Sequence, residues 1–194
     1  PTYIPMDEKH PYNNDTFYGA AKIGNEHMAK AFRAMYGLNY VCLRPFNVYG
    51  ARMDIYGVYT EVLIRWLDRI DAGLPPIIFG DGKQSLDFIY VEDVARATIC
   101  ALKSKVNEGV YNAGSGRETD LTTLAQKILK ITKSKLSIEY QPQRAVAHVN
   151  RRKADIKKAK KDLGFVTKIN VEEGLKKLIA WREEVRDLNK KKKR

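Results

Sequence analysis

A helical stretch followed at once by a short apolar run most constrains what this chain can fold into. The alanine-rich segment from Phe17 to about Tyr36 favours a helix, and Gly37 provides a C-terminal cap. Residues 39–43 then read as a buried strand. A helix followed by a buried strand is one repeat of a parallel α/β sheet, in which ligands bind beyond the carboxyl ends of the strands. The sequence therefore predicts an α/β fold with a site near residues 45–50.

Tyr18 and Lys22 lie four residues apart in this helix, so both side chains face the same side of it. A phenol is protonated at neutral pH, but a fixed ammonium beside it favours the phenolate. Such a pair can move a proton to or from a hydroxyl, and the three donors of the lysine can hold a sugar diol. Many helices carry this spacing by chance, so it is informative only together with other motifs.

Composition limits the class of protein. The 194 residues, 44% hydrophobic and 30% charged, are typical of a soluble globular chain. No apolar run approaches the ~20 residues of a membrane span, and no leader peptide is visible. Cys42 and Cys100 lie in apolar patterns as expected for buried thiols, which suits a reducing cytosol. His10, His27 and His148 show no metal-ligand spacing, so we expect no metal. From the cysteine usage we expect a cytoplasmic protein, and from the lack of a long apolar run we expect no membrane partner.

Positive charge is concentrated near the C-terminus. Residues 151–194 hold 17 Lys/Arg and 7 Asp/Glu, a net +10 of the total +12. One hypothesis is a polyanion-binding module, since phosphate backbones attract such charge. No aromatic residues interleave with the terminal basic run 189–194, and a solvated tail is the simpler interpretation. We therefore expect no specific nucleic-acid partner.

Helices and strands alternate through the rest of the chain. The predicted elements are helices over 58–72, 94–103, 121–132, 154–163 and 171–188, and strands over 77–79, 86–91, 109–113 and 136–140. Gly114 and Gly116 stand between a strand and a helix, but the third glycine of a dinucleotide fingerprint is missing, which favours a plain tight turn. Gly24 costs its helix about 1 kcal/mol relative to alanine, which suggests close packing there.

Taken together, the motifs resemble the extended short-chain dehydrogenase/reductase family, specifically its NAD-dependent sugar-nucleotide epimerases and dehydratases. The matching segments follow the family's order and are 18–22, 43–50, 78–82, 87–95, 111–116, 154–159, 163–164 and 173–175. The Gly-rich cofactor loop of the family and the Ser/Thr partner of its tyrosine have no match. The resemblance therefore implies the C-terminal part of such an enzyme.

The implied architecture has two parts. The C-terminal part of a doubly wound Rossmann-type parallel sheet comes from 1–50 and 88–116. A small mixed α/β domain that binds the nucleotide-sugar comes from 51–87 and 117–188, and 189–194 form a basic tail.

The resemblance also implies roles for residues near the cofactor. Tyr18 is the acid/base that takes a proton from a sugar hydroxyl, while a hydride leaves the same carbon for the nicotinamide of NAD. Lys22 holds the nicotinamide ribose and keeps Tyr18 acidic. Pro45 and Phe46 lie against the nicotinamide, and Asn47 contacts the sugar or diphosphate.

Further residues are implied to bind the nucleotide. Val62 and Leu63 open a helix over it, and Phe79 packs on the base, expected to be uracil, with Ile77 beside it. Arg144 stands where the family often has an arginine on the diphosphate.

One position departs from the family pattern. Many relatives have an arginine immediately before the aspartate of the 87–95 segment, where this chain has Leu86. The corresponding diphosphate contact is then missing, or is supplied by Arg144, Arg151 or Arg152.

The leading hypothesis is an NAD-dependent epimerase of the UDP-glucose 4-epimerase type, acting on a UDP-sugar by transient oxidation at C4. A nucleotide-sugar 4,6-dehydratase and a UDP-glucuronate decarboxylase share every motif visible here and remain alternatives. A homodimer is expected from the resemblance, and Met28, Phe32 and Met35 could serve its interface or the core. We also predict that the 194-residue chain alone is inactive and exposes a sheet edge and an apolar face.

Overall fold

The computed structural model describes residues 1–13, 16–55, 62–143 and 150–192, with side chains described as far as residue 188. These residues form helices and strands in alternation, as the sequence predicts. The helices are α1 (Phe17–Tyr36), α2 (Val62–Asp71), α3 (Val91–Lys103), α4 (Leu121–Ile131), α5 (Lys157–Leu163) and α6 (Val171–Lys192). The strands are β1 (Tyr40–Pro45), β2 (Asn47–Tyr49), β3 (Ile77–Phe79), β4 (Ser85–Leu86), β5 (Phe88–Tyr90), β6 (Glu108–Ala113), β7 (Thr119–Asp120) and β8 (Glu139–Gln141).

Helix α1 has the bounds that its sequence predicts. The Thr16 hydroxyl accepts a hydrogen bond from the Gly19 amide at 3.1 Å, satisfying one of the free amides of the first turn. Gly37 ends the helix with a φ of 70°, a left-handed conformation that glycine adopts without strain. The chain then turns directly into β1, against which α1 packs.

Two parallel strand pairs meet end to end in the sheet. Strand β1 pairs with β6 in register from Tyr40 opposite Glu108 to Pro45 opposite Ala113. Strand β2 pairs with β5, and the Phe46 amide donates to the Ala113 carbonyl at the point where one pair gives way to the other. On its other edge β1 pairs with no strand among the described residues. Strands β3 and β8 are parallel, whereas β4 and β7 are antiparallel.

Buried side chains form two clusters. The first joins α2, α4 and α6 to β3 and includes Leu63, Ile64, Trp66, Leu67, Ile78, Leu124, Ile128, Leu175 and Leu178. The second lies around β6, α3 and α5 and includes Ile89, Ala97, Tyr111, Ala113, Ala159, Leu163 and Phe165. Leu163 and Phe165 thus pack with β6, although their sequence range was assigned to the second domain. The division into two domains stays a prediction.

The strand predicted over 86–91 is interrupted, which corrects the sequence interpretation. Asp87 separates β4, which pairs with β7, from β5, which pairs with β2. Its side chain is fully buried and accepts several hydrogen bonds, so the backbone turns there to bring the carboxylate inside. Alternation of side chains alone does not reveal such a break.

Other boundaries also differ from those predicted. Helix α5 begins at Lys157 rather than at 154, because Ala154 is extended and bridges Met6. Strand β8 covers Glu139–Gln141 rather than 136–140. Helix α6 continues past 188 to Lys192, so most of the predicted basic tail is helical.

The outer face of α1 is uncovered. The helix buries no residue, and its exposed large apolar side chains are Phe17, Tyr18, Met28, Phe32, Met35 and Tyr36. Together with the edge of β1 that pairs with no described strand, this agrees with the predicted exposure of a sheet edge and an apolar face. In the described parts of the chain, no helix combines the length and the hydropathy that a bilayer crossing requires.

Candidate active site

A cleft of about 1020 Å³ lies where α1 meets the carboxyl ends of β1 and β6. It is large enough for a small-molecule ligand, since such pockets commonly measure about 300–1,000 Å³. Seven of the ten predicted site residues line it, namely Tyr18, Lys22, Pro45, Phe46, Asn47, Val62 and Leu63. The position agrees with the rule that ligands of parallel α/β sheets bind beyond the strand ends.

The helix α1 contributes Tyr18 and Lys22 to one wall of the cleft. The Lys22 Nζ lies 5.2 Å from the centroid of the Tyr18 ring. The tyrosine is 75% exposed, so its hydroxyl is accessible from the cleft. Lys22 forms no ion pair with any acidic residue that the structure describes. Both groups are thus open to a bound ligand.

A charged anchor holds this wall against the sheet. Glu26 lies one turn beyond Lys22 on α1, and its carboxylate receives two hydrogen bonds from Arg44 of β1, both 2.7 Å long. Arg44 also donates to the Tyr12 hydroxyl at 2.6 Å and to the Glu8 carbonyl at 3.0 Å. Hydrogen bonding to Arg44 lowers the pKa of Glu26 below its ordinary value. The pair therefore stays ionised and fixes α1 relative to β1.

The end of β1 and the start of β2 form the cleft floor. Pro45 and Phe46 supply an apolar surface there, and Asn47 supplies a polar group. The Asn47 side-chain amide donates to the Asp87 carbonyl at 3.0 Å, which fixes its orientation. Within the described residues no other contact engages the amide oxygen or the second N–H, so both can bind a ligand. Asn47 thus has a structural contact in addition to its proposed contact with substrate.

Two of the three other predicted site residues lie outside the cleft. Ile77 and Phe79 lie on β3, paired with β8, and do not line it; the Ile77 carbonyl accepts from Trp66 Nε1 at 2.7 Å. Their contact with a base stays a prediction. Arg144 lies outside the described residues.

The glycine turn after β6 serves the protein itself. The Asp87 carboxylate accepts from the Ser115 amide at 2.7 Å, the Ser115 hydroxyl at 2.6 Å, the Gly116 amide at 2.9 Å and the Ala154 amide at 3.1 Å. Burial raises the pKa of Asp87, against the pull of these donors. A side chain on Gly114 would collide with Ala154. The turn thus binds an internal carboxylate, in agreement with the tight-turn interpretation.

Sequence reasoning missed several residues that line the cleft: Tyr12, Glu26, Arg44, Phe88 and Asn112. Arg152, one of the three arginines named as candidates for a diphosphate contact, lines the cleft as well. The polar, proline-punctuated sequence of residues 1–14 predicts only a loop. In the structure the Glu8 carboxylate accepts from the Asn112 amide at 2.8 Å, and the Asn112 side chain donates to the Met6 carbonyl. The one available signal was the spacing of Glu26, which places it on the same helix face as Tyr18 and Lys22.

Parallel strands that end at a cleft beside a Tyr–Lys helix define a Rossmann-type α/β protein of the short-chain dehydrogenase/reductase class. The sequence pattern of the NAD dependent epimerase/dehydratase family matches residues 1–114, and the chain belongs to this family. The family match favours the enzyme hypothesis over a polyanion-binding module.

Individual relatives support the same class. A candidate UDP-glucose 4-epimerase of Methanocaldococcus jannaschii is 39% identical over 93% of this chain and 58% of its own length. The UDP-N-acetyl-alpha-D-glucosaminuronate decarboxylase of Bacillus cytotoxicus is 35% identical over 78% of this chain and 49% of its own. The structure of UDP-glucose 4-epimerase from Thermotoga maritima with UDP-glucose superposes with a TM-score of 0.86 at 36% identity, covering 93% and 58% of the two chains. This chain thus spans 49–58% of the length of these relatives.

Proposed function

We propose that the chain is the C-terminal portion of an NAD-dependent nucleotide-sugar 4-epimerase, acting on a UDP-sugar of the glucose/galactose type. The observation that carries the proposal is the placement of Tyr18 and Lys22 on one wall of a cleft whose floor ends in Asn47. The Tyr18 hydroxyl, the Lys22 ammonium and the Asn47 amide would then all contact a ligand bound in the cleft. The 4-epimerase names of several relatives support this choice of reaction.

The residues at the α1 end of the cleft suit the cofactor named by the family. Lys22, free of acidic partners in the described chain, would hold the hydroxyls of a ribose. Pro45 and Phe46 offer the apolar surface that a flat aromatic ring requires. Bound there, NAD supplies reversible hydride acceptance. The groups present therefore fit the nicotinamide end of this cofactor.

Tyr18 performs the proton transfer in this proposal. As the phenolate it removes the proton from the C4 hydroxyl of the sugar, and as the phenol it returns a proton when the C4 ketone is reduced from its other face. The Lys22 Nζ lies 5.2 Å from the Tyr18 ring centroid, so both groups reach the same part of a bound sugar. Asn47 holds the substrate by hydrogen bonds while first one face of the sugar and then the other is turned toward the cofactor.

Dehydration and decarboxylation stay alternatives of the same class, since both follow the same first oxidation. The decarboxylase relative shares as much identity as several epimerases do. The epimerase is preferred because 4-epimerases recur among the most similar sequences and structures.

A second copy of the chain is the proposed macromolecular partner. The exposed side chains of Met28, Phe32 and Met35 on α1 support an interface there. Sedimentation equilibrium of the full-length enzyme should give twice the monomer mass, and a monomer at micromolar concentration would contradict it. Two free thiols, Cys42 and Cys100, accord with the proposed reducing cytoplasm.

The deciding experiment measures turnover in the full-length parent enzyme. The Tyr18→Phe variant should lose at least a hundredfold in kcat for UDP-sugar epimerisation, since positioned acid/base groups contribute about 10²–10⁴-fold. Its affinity for UDP should stay within about twofold, because no hydroxyl contact to the nucleotide is proposed. Near-normal turnover would overturn the acid/base role. The 194-residue chain alone should show no epimerisation, and measurable turnover would refute that expectation.

A further inference from the structure

Lys22 has a carboxylate within reach on its own helix, and yet the two side chains do not pair. Glu26 follows Lys22 by four residues, a spacing at which opposite charges on one face of a helix attract each other. It is also the one acidic residue in the sequence of α1. In the described parts of the chain Lys22 forms no ion pair, and Glu26 pairs with Arg44 instead. Other contacts therefore hold the Glu26 carboxylate away from Lys22.

Arg44 binds both oxygens of this carboxylate. Its Nε donates to Oε1 and its Nη2 donates to Oε2, each at 2.7 Å, which is the paired geometry in which a guanidinium binds a carboxylate strongly. Arg44 lies on β1, and its Nη1 donates to the Glu8 carbonyl at 3.0 Å. The strand and the segment before α1 thus fix the guanidinium, and the guanidinium fixes Glu26.

Tyr12 adds a third hydrogen bond to Glu26. Its hydroxyl donates to Oε2 of Glu26 at 2.8 Å and accepts from Nη2 of Arg44 at 2.6 Å. The aromatic ring also contacts the guanidinium, with the Arg44 Cζ 5.1 Å from the ring centroid. Only 15% of the Glu26 side chain is exposed. Because two residues bind the carboxylate at once, it is not free to turn toward Lys22.

We propose that Arg44 and Tyr12 are positioning residues that withhold Glu26 from Lys22, so that the Lys22 ammonium stays available to a ligand in the cleft. Without them, Glu26 would compete with that ligand for the three N–H donors of the lysine. The apparent affinity of the ligand falls in proportion to the fraction of molecules that keep Lys22 unpaired. The inference rests on the proposed function, since it takes the nicotinamide ribose of NAD as the ligand of Lys22.

Titration of the cofactor-free, full-length enzyme with NAD and, separately, with ADP tests this inference. Arg44→Gln frees the Glu26 carboxylate and should weaken NAD binding about tenfold, as when about nine molecules in ten hold Lys22 paired. ADP lacks the nicotinamide ribose and should bind within about twofold of the unmodified enzyme. Because ADP carries the diphosphate, it also controls for the change of net charge. Tyr12→Phe removes one of the three hydrogen bonds and should weaken NAD binding by a smaller factor.

Removal of the acid distinguishes the withholding of Glu26 from simple support of α1. The double variant Glu26→Gln/Arg44→Gln leaves no carboxylate on α1, so its NAD affinity should return to within about threefold of the unmodified value. Glu26→Gln alone should also stay within about threefold, although it loses the same ion pair. If the double variant binds NAD as weakly as Arg44→Gln does, Arg44 acts only by holding the helix, and the inference is overturned.

Arg33→Gln is the matched control, with the same change of charge on another residue that joins α1 to the sheet. The Arg33 Nε lies 3.7 Å from Oε2 of Glu108, the first residue of β6. Arg33 stands about three helical turns beyond Lys22, so its loss frees no carboxylate beside the lysine. NAD affinity should stay within about twofold. A loss of NAD binding in Arg33→Gln as large as that in Arg44→Gln would contradict the inference.

A crystal structure of the full-length Arg44→Gln enzyme without ligand gives a readout that does not depend on NAD. The Glu26 carboxylate should lie within about 4 Å of the Lys22 Nζ, the distance of an ion pair. A carboxylate that stays turned toward β1 would overturn the inference. Turnover of the Tyr18→Phe enzyme decides the proposed function separately, so the two failures are distinguishable.

Discussion

The Glu26 carboxylate is bound by both the Nε and Nη2 groups of Arg44, each at 2.7 Å, and this pair joins the Tyr–Lys helix to the first strand. Glu26 lies on the same face of α1 as Tyr18 and Lys22, eight and four residues after them. The contact that fixes the helix thus lies directly beside the groups assigned to catalysis. Loss of this contact should affect both stability and the position of the cleft wall.

Glu26→Gln should lower the free energy of unfolding at pH 7 by about 2 kcal/mol, since hydrogen bonds to charged groups contribute about 1.5–3 kcal/mol. The pKa of Glu26 is lowered in the folded chain by Arg44, so its stabilising effect is present above the unfolded pKa of about 4.3 and is lost as pH falls through the folded value. Urea unfolding at pH 7 and pH 3 should therefore show the difference between Glu26→Gln and the unmodified chain narrowing in acid.

Glu183→Gln, at an exposed position of α6, is the control for this measurement and should stay within about 0.5 kcal/mol. A gap between Glu26→Gln and the unmodified chain that stays constant, or widens, in acid would contradict the assigned ion pair.

Asp87→Asn should destabilise the chain by about 2–4 kcal/mol, because an unsatisfied buried charged or polar group costs about 1–3 kcal/mol or more. The asparagine would direct an NH₂ group toward amides that now donate to a carboxylate, including those of Ser115 and Ala154. Thermal and urea unfolding measure the loss. Asp187→Asn, on the exposed surface of α6, should be nearly neutral. A stability of Asp87→Asn equal to that of this control would show that the buried carboxylate is dispensable.

Two helical glycines should respond to alanine in opposite directions. A Cβ on Gly174 would lie 2.7 Å from Tyr49 Cζ and 2.9 Å from Tyr90 Cδ2, so Gly174→Ala should cost about 1–3 kcal/mol through overpacking. A Cβ on Gly24 would meet no described atom within 4 Å, so the close packing expected at Gly24 is not found among the described residues. Gly24→Ala should therefore stabilise this chain by about 0.5–1 kcal/mol through helix propensity. The midpoints of urea unfolding test the pair, and the same sign for both substitutions would contradict the packing described here.

Arg182→Ala should cost about 2 kcal/mol or more, because it removes charge-assisted hydrogen bonds and packed aliphatic contacts. The Arg182 side chain, only 6% exposed, bridges Asp68 and Asp71 and so joins α6 to α2. Arg186→Ala is the matched control: this arginine also pairs with Asp71 but is 41% exposed, so its loss should cost less than about 1 kcal/mol. Equal losses in urea unfolding for the two variants would rule out the buried bridge.

The regular elements near the site could be predicted because their signals are local. Alanine content and the glycine cap give the bounds of α1, and an apolar run gives β1. The Tyr–Lys spacing places both side chains on one wall, as the structure has them. Assignment of the cleft to the strand ends follows from the general behaviour of parallel sheets.

What could not be predicted depends on contacts between distant parts of the chain. The pairing of Glu26 with Arg44 joins residues 18 positions apart, and the pairing of Arg151 with Glu118 joins residues 33 apart. The break at Asp87 arises from donors that lie far along the chain. No periodicity records such partners, so the sequence could list Arg151 and Arg152 only as equivalent candidates.

The absence of any buried residue in α1 has a thermodynamic consequence for the proposed full-length enzyme. Helix α1 is attached to the rest of the chain on one side, so a surface that covers its other side makes it more ordered. Local opening is easiest where few apolar contacts exist. Any body that covers α1 therefore stabilises the conformation that holds Tyr18 and Lys22 in place. By linkage, assembly of the complete enzyme and affinity for its ligands should strengthen each other.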